Sequence, residues 1–552
     1  MVVEHLNTGP VDARDQSRKS PRQGYCTGGE SKGTQAKGLA VKSQPEEVDA
    51  LVIGAGPTGL MLAIVLARRG IRVRIVDRKA GPTRESRAVV VQARTLEIYE
   101  QLGIAGRMTA ASTDARLVAP GYGRRRFGVL PIGAIGSGLT PFPRLTVLEQ
   151  SKTETILGEY LGELGVSIGW NTSVELADDV AESGAVTLSS AAGSRVIRAR
   201  FVVGADGSNS LVRRALGIAF EGSTNEHSFF VCDTDHTHGL TADAVNLRLG
   251  DSEFLLSFPL GGSDDPAGHH RIIGLLPKGR SAEIDEAEAR ATVDSVFGVN
   301  WGDSHWFSTY RVQHRVASAF RSGRVFLAGD AAHIHSPVGA QGMNTGLQDA
   351  HNLALKLAEV IQGSAPEEYL DRYEAERRPV AVRLIASTDR VFGLATSSTR
   401  RARLIRRRVA PLLAPLVIRV IPRVRVASRF FGYLSQTRIH YWMDPAEKQR
   451  SNGRRDPVVG RRLPWTGDNY AVLRSFEWQV HGYGGADAAA VGAALGIASH
   501  HFPSPGTTRL TGSLVYLVRP DGFVAAAAAP TVAAHVFAAA MPGTRHAQSR
   551  EL

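Results

Sequence analysis

Apolar positions along the chain fall into three textures. Val48 to Ile53, Val73 to Val76, Phe201 to Val203 and Val325 to Ala328 are short apolar runs set off by glycines and acids, as expected of strands buried on both faces of a parallel sheet. Between Ala219 and Val316 the pattern changes to alternation, as in Phe254-Leu255-Leu256-Ser257-Phe258, Arg271-Ile272-Ile273-Gly274-Leu275 and Trp306-Phe307-Ser308-Thr309-Tyr310. That predicts a mixed or antiparallel sheet, with Phe254, Leu256 and Phe258 sharing one face and Trp306, Ser308 and Tyr310 another. A third texture runs from Arg400 to Arg429, where ten arginines are interleaved with Leu412, Leu413, Leu416, Val417, Ile418 and Ile421. Pro411, Pro415 and Pro422 are expected to break it into short pieces with a solvated face. Met1 to Glu47 shows no apolar periodicity, is rich in Gly, Ser, Lys and Arg, and reads as disordered.

The parallel-type strands each end in a loop with chemistry. The first runs into Gly54-Ala55-Gly56-Pro57-Thr58-Gly59, then a helix from Leu60 to Arg69, then the second strand ending at Asp77. This is a dinucleotide fingerprint in its physical context: Gly54 makes the turn, Gly56 admits a pyrophosphate, Gly59 lets helix and strand close up, and Asp77 takes ribose hydroxyls. The strand at Phe201 ends in Gly204-Ala205-Asp206-Gly207-Ser208-Asn209-Ser210, with Arg213 one turn further on. The strand at Val325 ends at Asp330, where a carboxylate can accept from ribityl or ribose hydroxyls. Gly339 and Gly342 then allow backbone close to a flat ring, and Asn344 to Leu357 reads as a helix whose amino end favours the negative charge of a reduced flavin. Three strand-end loops exceed the needs of one nucleotide. A cofactor stretching from adenine to isoalloxazine would use them all, with Asp206 in a supporting role.

At 552 residues the chain suggests roughly two to four domains. No window of 18 uncharged apolar residues appears, so no membrane span is expected. Two cysteines, Cys26 and Cys232, without metal-type neighbours argue for the reducing cytoplasm and against a disulfide framework or structural zinc. His227, His236, His238, His269 and His270 have no metal-ligand pattern and are placed in loops, so no metal is expected. The net charge of +12 is concentrated in the arginine segment without a nucleic-acid motif, and nucleic acid is not expected as a partner.

Together GAGPTGL at Gly54 to Leu60, GADGSNSLVR at Gly204 to Arg213 and GDAAHIHSPVGAQGMNTGLQDAHNLALKLA at Gly329 to Ala358 resemble the class A flavoprotein monooxygenases of the p-hydroxybenzoate hydroxylase fold, in the branch of phenol hydroxylases and aromatic polyketide hydroxylases. The resemblance covers roughly Asp49 to Tyr441. It implies an α/β chain with a Rossmann-like, three-layer FAD-binding domain, an inserted mixed β-sheet substrate domain and a carboxyl-terminal thioredoxin-like module. The expected division is an extension at 1–47, FAD-binding segments at 48–118, 145–222 and 318–395, substrate segments at 119–144 and 223–317, a basic helical connector at 396–456, and the thioredoxin-like unit at 457–552. That last unit has no cysteine, which excludes a redox role for it, and the alanine run Ala525 to Ala529 puts its usual packing in doubt.

By the same resemblance Asp77 and Arg78 would bind the adenosine side, Arg87 and Gln150 the pyrophosphate and ribityl portions, and Asp330 the ribityl chain. Pro337 to Asn344, including Gly339, Gly342 and Met343, would line the isoalloxazine. The implied reaction uses NADPH, or NADH, to reduce FAD, then O2 to form a C4a-hydroperoxyflavin that hydroxylates an aromatic substrate, with Pro337 and Gly339 contacting the peroxide through backbone. The flavin does the hard chemistry while the protein positions it and excludes water. At Val89 phenol hydroxylases tend to carry an Asp that helps deprotonate phenol; here the position is apolar, and Tyr310, Arg311 and His314 are the candidates for substrate activation. A homodimer is compatible with the family. Two alternatives stay open: a Baeyer-Villiger oxygenase on the same scaffold, and a flavin-binding protein without turnover.

Overall fold

A computed structural model of the chain describes residues 46–84, 88–261, 269–275, 285–335, 341–396, 399–420, 425–503, 505–506 and 508–543. The amino-terminal 45 residues, Arg87, Pro337 and Gly339 lie outside these described residues, as does the side chain of His227.

The apolar runs assemble into one sheet. Strand Glu46–Ile53 lies between Gly193–Gly204 and Val73–Val76, parallel to both, and Val325–Leu327 pairs in parallel with the other edge of Gly193–Gly204. The four strand ends bearing Gly54, Asp77, Ala205 and Ala328 therefore open on the same side. Antiparallel strands Ser173–Leu176 and Ala185–Ser190 extend the sheet beyond Gly193–Gly204. Leu51, Val52, Val202, Val203, Val325 and Phe326 are fully buried. Each such side chain stabilises the fold by roughly 1.5–3 kcal/mol relative to exposure, which explains why these segments read as continuous hydrophobic runs. Helices Pro57–Arg68 and Gly342–Ile361 share this core with Gln150–Glu163.

The alternating segments form a second, mostly antiparallel sheet in the order His333–Ile334, Ser304–Ala317, Phe220–Thr234, His269–Leu275, Phe254–Leu260, Ala244–Leu249, Leu117–Tyr122, Arg125–Arg126. Ala244–Leu249 and Leu117–Tyr122 pair in parallel. Phe254 and Phe258 bury their rings in the same cluster as Val89, Val90, Ile273 and Tyr310, so this sheet packs its apolar face over the segment that follows Asp77. The mixed α/β architecture, with separate parallel and antiparallel sheets, agrees with the sequence reading.

The last part of the chain builds a four-stranded sheet in the order Ala498–Phe502, Gln479–Tyr483, Val515–Val518, Val524–Ala528. The alanine run pairs with Val515–Val518 and packs in a core with Val491, Ala533 and Phe537. Small side chains there let helix Pro530–Ala540 lie close to the strand. This unit is fastened to the parallel-sheet unit by buried polar bonds: Arg94 Nη2 donates to the Asp521 carbonyl at 2.7 Å, Gln101 Nε2 to the Pro520 carbonyl at 2.6 Å, and Trp478 Nε1 to Glu359 Oε1 at 2.6 Å.

The arginine-rich segment departs from expectation. Pro411 and Pro415 do not break it: Arg400–Leu404, a wide π turn at Ile405–Val409 and Ala410–Val420 follow one another without interruption, Pro415 lying inside the last helix. In the π turn the Ala410 amide donates to the Ile405 carbonyl, and this wider turn just before Pro411 gives the proline ring room in the continuing helix. Pro422 lies outside the described residues. No described helix is long and apolar enough to cross a membrane.

Candidate functional site

A cavity of about 540 Å³ opens where the parallel strands end. Gly54, Gly56, Pro57 and Thr58 line it from the first loop, Asp77, Arg78 and Lys79 from the second strand end, and Asp206, Gly207 and Asn209 from the third. Asp330, Ile334, His335, Gln341, Gly342 and Met343 line it from the fourth, and Val89, Phe258 and Ile273 close it on the side of the antiparallel sheet.

The glycine loop is shaped by close approach. Gly54 has φ +107°, and a Cβ there would stand 2.3 Å from the Ala205 carbonyl oxygen. A Cβ on Gly59 would meet the Gly54 carbonyl at 1.8 Å, so helix Pro57–Arg68 can start against its strand only with glycine at this position. Gly56 differs, with nothing within 4 Å of its Cβ direction. This gap beside free backbone amides at a helix start is the space an anionic pyrophosphate requires. The first and last loops also lock together, since a Cβ on Gly329 or Gly346 would come within 2.5 Å of Thr58 Oγ1.

Asp77 is held by two backbone donors, the Ala55 amide to Oδ2 at 2.7 Å and the Lys79 amide to Oδ1 at 2.8 Å. Each oxygen keeps a lone pair for a hydroxyl at the cavity wall. Gln150 Nε2 donates to Glu154 Oε1 at 2.8 Å, while Glu154 Oε2 accepts from the Thr83 amide at 2.8 Å and lies 3.8 Å from Lys79 Nζ. Sequence reasoning missed Glu154 and Lys79. The i, i+4 spacing of Gln150 and Glu154 was the signal for the first, but the meeting with Thr83 and Lys79 is long-range.

Asp206 Oδ2 accepts from the Leu211 amide at 2.7 Å and the Val212 amide at 3.2 Å, fixing its own loop. Arg213 Nη1 donates to the Ala331 carbonyl and Nη2 to the Ser208 carbonyl, both at 2.8 Å, with its guanidinium 3.8 Å from the centre of the Phe220 ring. The third loop is thereby bolted to the fourth. Beneath the fourth loop, Asp349 is fully buried and accepts from Arg377 Nε at 2.6 Å, His333 Nε2 at 2.7 Å and the Gly329 amide at 3.3 Å. Burial opposes its ionisation, but Arg377 and His333 prevail and hold the carboxyl below its ordinary range.

Asn344 sits in the first turn of helix Gly342–Ile361 and is fully buried. Its Oδ1 accepts from the Gln92 amide and Thr95 Oγ1, both at 2.8 Å, and its Nδ2 donates to the Val90 carbonyl at 2.8 Å. It clamps the Val90 strand to the helix start instead of lining the cavity. Tyr310, Arg311 and His314 are not brought to the cavity wall either. Tyr310 stacks on Phe229 with ring centres 5.7 Å apart inside the antiparallel-sheet core, Arg311 is exposed on the neighbouring face, and His314 is buried on strand Ser304–Ala317 opposite Ser223. Trp306, Ser308 and Tyr310 do share one face, and Tyr310 packs in the same apolar cluster as Val89, Phe258 and Ile273, but it lies behind the residues that reach the cavity wall. Contrary to expectation, His269 and His270 lie in strand His269–Leu275 and not in loops; His305 Nε2 lies 2.5 Å from Asp235 Oδ2 and His269 Nε2 3.9 Å from Asp235 Oδ1, a group of three side chains spaced as metal ligands could be. Strand pairing, which no local pattern encodes, brings the three together.

An open glycine loop, ribose-type acceptors on adjacent strand ends and a glycine-started helix across one elongated cavity define a dinucleotide-flavin enzyme built around a second, apolar sheet. Residues 47–388 match the model of the FAD-binding domain family, and the chain belongs to that family. It is an FAD-dependent monooxygenase. The chain is 37% identical over 425 residues, 73% of its own length and 72% of the relative's, to 6-methylpretetramide 4-monooxygenase of Streptomyces rimosus. It is 31% identical over 511 residues, 87% and 95% of the two chains, to the 12-dehydrotetracycline 5-monooxygenase/anhydrotetracycline 6-monooxygenase of Streptomyces rimosus subsp. rimosus. The solved structure of OxyS anhydrotetracycline hydroxylase from Streptomyces rimosus superposes with a TM-score of 0.67 at 28% identity, covering 90% of this chain and 98% of that one.

Proposed function

We propose that this enzyme consumes NAD(P)H and O2 to hydroxylate an aromatic substrate, phenolic or of the polyketide type. The observation that carries the reading is the cavity itself, with polar strand ends along most of its length and Val89, Phe258 and Ile273 closing one side. Relatives named for 6-methylpretetramide, anhydrotetracycline and pentachlorophenol support a ring-bearing substrate. FAD, when bound, takes the hydride and activates oxygen at its C4a carbon. The chain's own residues have narrower tasks. Gly54, Gly56, Asp77, Arg78, Arg87 and Gln150 hold the adenosine and pyrophosphate, Asp330 holds the ribityl chain, and Gly342 and Met343 flank the ring with Pro337 and Gly339. Asn344, Asp206 and Gly59 hold the loops that do this. Val89, Phe258 and Ile273 exclude water from the reacting face. With an apolar group at Val89, no carboxylate there takes the substrate proton, which suits a ring that is already electron-rich.

The same reading divides the chain into an FAD unit from 48–118, 145–222 and 318–395, a substrate unit from 119–144 and 223–317, and a thioredoxin-like unit from 457–552. The last assignment is supported by a parallel pair, Gln479–Tyr483 with Ala498–Phe502, followed by two antiparallel strands and a helix.

Asp330→Ala is expected to lose bound FAD on purification; a variant that keeps full flavin absorbance overturns its assignment. Screening phenols and anthraquinone-like compounds for stimulated NADPH oxidation, with mass analysis for one added oxygen, tests the reaction. Flavin that no nicotinamide reduces in the presence of any such compound would favour a non-catalytic flavin protein.

A further inference from the structure

Between Arg390 and Met443 the chain contains twelve arginines and no aspartate, glutamate or lysine. The whole chain carries a net charge of +12, so this stretch accounts for all of it and the remainder is balanced. Within it, helix Ala410–Val420 turns Pro411, Ala414 and Ile418 toward the protein and the rest of its surface outward. The outward residues are apolar. Leu412 is 75% exposed, Leu416 61% and Leu413 52%, joined by Val409, Val417 and Val420, and Leu404 and Ile405 continue the exposure toward the amino end. At 3.6 residues per turn Val409, Leu412, Leu413, Leu416, Val417 and Val420 fall within an arc of about 140°, and Arg408 and Arg419 lie along its border beside Leu412. A helix apolar on both its inner and outer faces belongs in a buried setting.

The helix is anchored at its amino end. Arg406 Nη2 donates to the Asp251 carbonyl at 2.8 Å and Arg407 Nη2 to Asp251 Oδ2 at 2.8 Å, fixing the segment against the antiparallel-sheet unit. The outer face is a convex aliphatic ridge with arginines along one margin and no acid in the segment.

We propose that this ridge docks the enzyme on an anionic lipid surface. A second copy meeting the ridge with its helix antiparallel, by twofold symmetry, would set the one arginine margin against itself, with no carboxylate in the segment to separate the charges. A folded protein partner is usually gripped by aromatic anchors in pockets, whereas this face is a row of leucines and valines without a groove. An interfacial helix that sinks aliphatic side chains into the acyl boundary and sets arginines among headgroup phosphates needs the surface found here. Docking here would bring the enzyme to membranes in which apolar ring compounds accumulate, which extends the proposed function and can fail independently of it.

The test uses the full FAD-loaded enzyme in vesicle co-sedimentation. Binding is expected to phosphatidylcholine vesicles containing 30 mol% phosphatidylglycerol and not to phosphatidylcholine alone, and to fall sharply between 0.05 and 0.5 M NaCl as the Debye length drops below about 8 Å. Leu412→Glu/Leu416→Glu is expected to abolish it with flavin content unchanged. Arg408→Gln/Arg419→Gln, both exposed, is expected to weaken it on the order of tenfold without altering the ridge. Absence of binding to the anionic vesicles, binding indifferent to both double variants, or a dimer that Leu412→Glu/Leu416→Glu converts to monomer in light scattering would each overturn the proposal. Substrate-stimulated NADPH oxidation in vesicle-free buffer, read in parallel, distinguishes failure of docking from failure of the hydroxylase reading.

Discussion

Two sets of arginines in this molecule obey opposite rules. At the junction of the FAD-binding unit and the carboxyl-terminal unit they are buried and paired with acids or carbonyls. Arg519 Nη1 and Nη2 hold both oxygens of Glu376 at 2.7 and 3.0 Å, Arg519 Nη2 also meets Asp521 Oδ2 at 2.8 Å, and Lys356 Nζ lies 2.9 Å from Glu376 Oε2. Burial opposes ionisation of Glu376, yet Arg519 and Lys356 hold its carboxyl well below the usual range; the same burial pulls the Lys356 ammonium down to about 8. In the 400–420 helices Arg401, Arg403 and Arg408 are exposed, and no acid lies in the surrounding sequence. The first set fixes how two units of the chain sit together. The second leaves charge available at a surface.

The contrast breaks most visibly at Glu376. Removing one partner of a buried charge pair strands the others in low dielectric, which typically costs about 3–5 kcal/mol. Glu376→Ala leaves Lys356 without its carboxylate and Arg519 with Asp521 alone, so denaturant unfolding should show a loss in that range. A change under about 1 kcal/mol would mean that water reaches this junction and that the two sets of arginines do not differ in kind.

Acid offers a gentler probe of the same junction. Burial, reinforced by Arg94, pulls the fully buried His351 down to about 3, and burial with His500 pulls His481 in the terminal sheet to about 3 as well. Both are neutral in the folded chain at pH 5, while an unfolded histidine with an ordinary pKa near 6.5 has taken up a proton. The unfolded state therefore binds more protons between about 6.5 and 3, and stability, complete above about 6.5, is lost as pH falls through that window. Each histidine steepens the loss by up to about 1.4 kcal/mol per pH unit. His351→Gln should flatten the acid limb of a Tm-against-pH curve, and an unchanged slope would show that His351 is charged or hydrated in the fold.

What the sequence made legible follows the range of the forces. Val48–Ile53, Gly54, Gly59 and Asp77 could be read because a buried strand, its turn and its acid are neighbours in the chain, and the structure sets them as expected. Val325 to Asp330 was legible for the same reason. Glu154 against Lys79, Arg213 against Ala331, and the Asp235, His269 and His305 group depend on strand order and on contacts spanning many residues, which periodicity does not contain. The two prolines of helix Ala410–Val420 show the opposite failure. A local rule predicted a break, but a single missing amide at Pro415 and a loosened turn before Pro411 are tolerated where the surrounding residues are strong helix formers.

The smallest expected effect sharpens the comparison from the other side. Arg401 and Arg403 stand exposed, and screened surface charge contributes little to folding. Arg401→Ser/Arg403→Ser should change the unfolding free energy by no more than about 0.5 kcal/mol, against the several expected at Glu376. If anything stability should rise, because removing like charges from a segment without acids relieves repulsion. A loss above about 1.5 kcal/mol would mean that these arginines are paired within the fold, and the distinction between arginines that assemble the chain and arginines that face outward would then disappear.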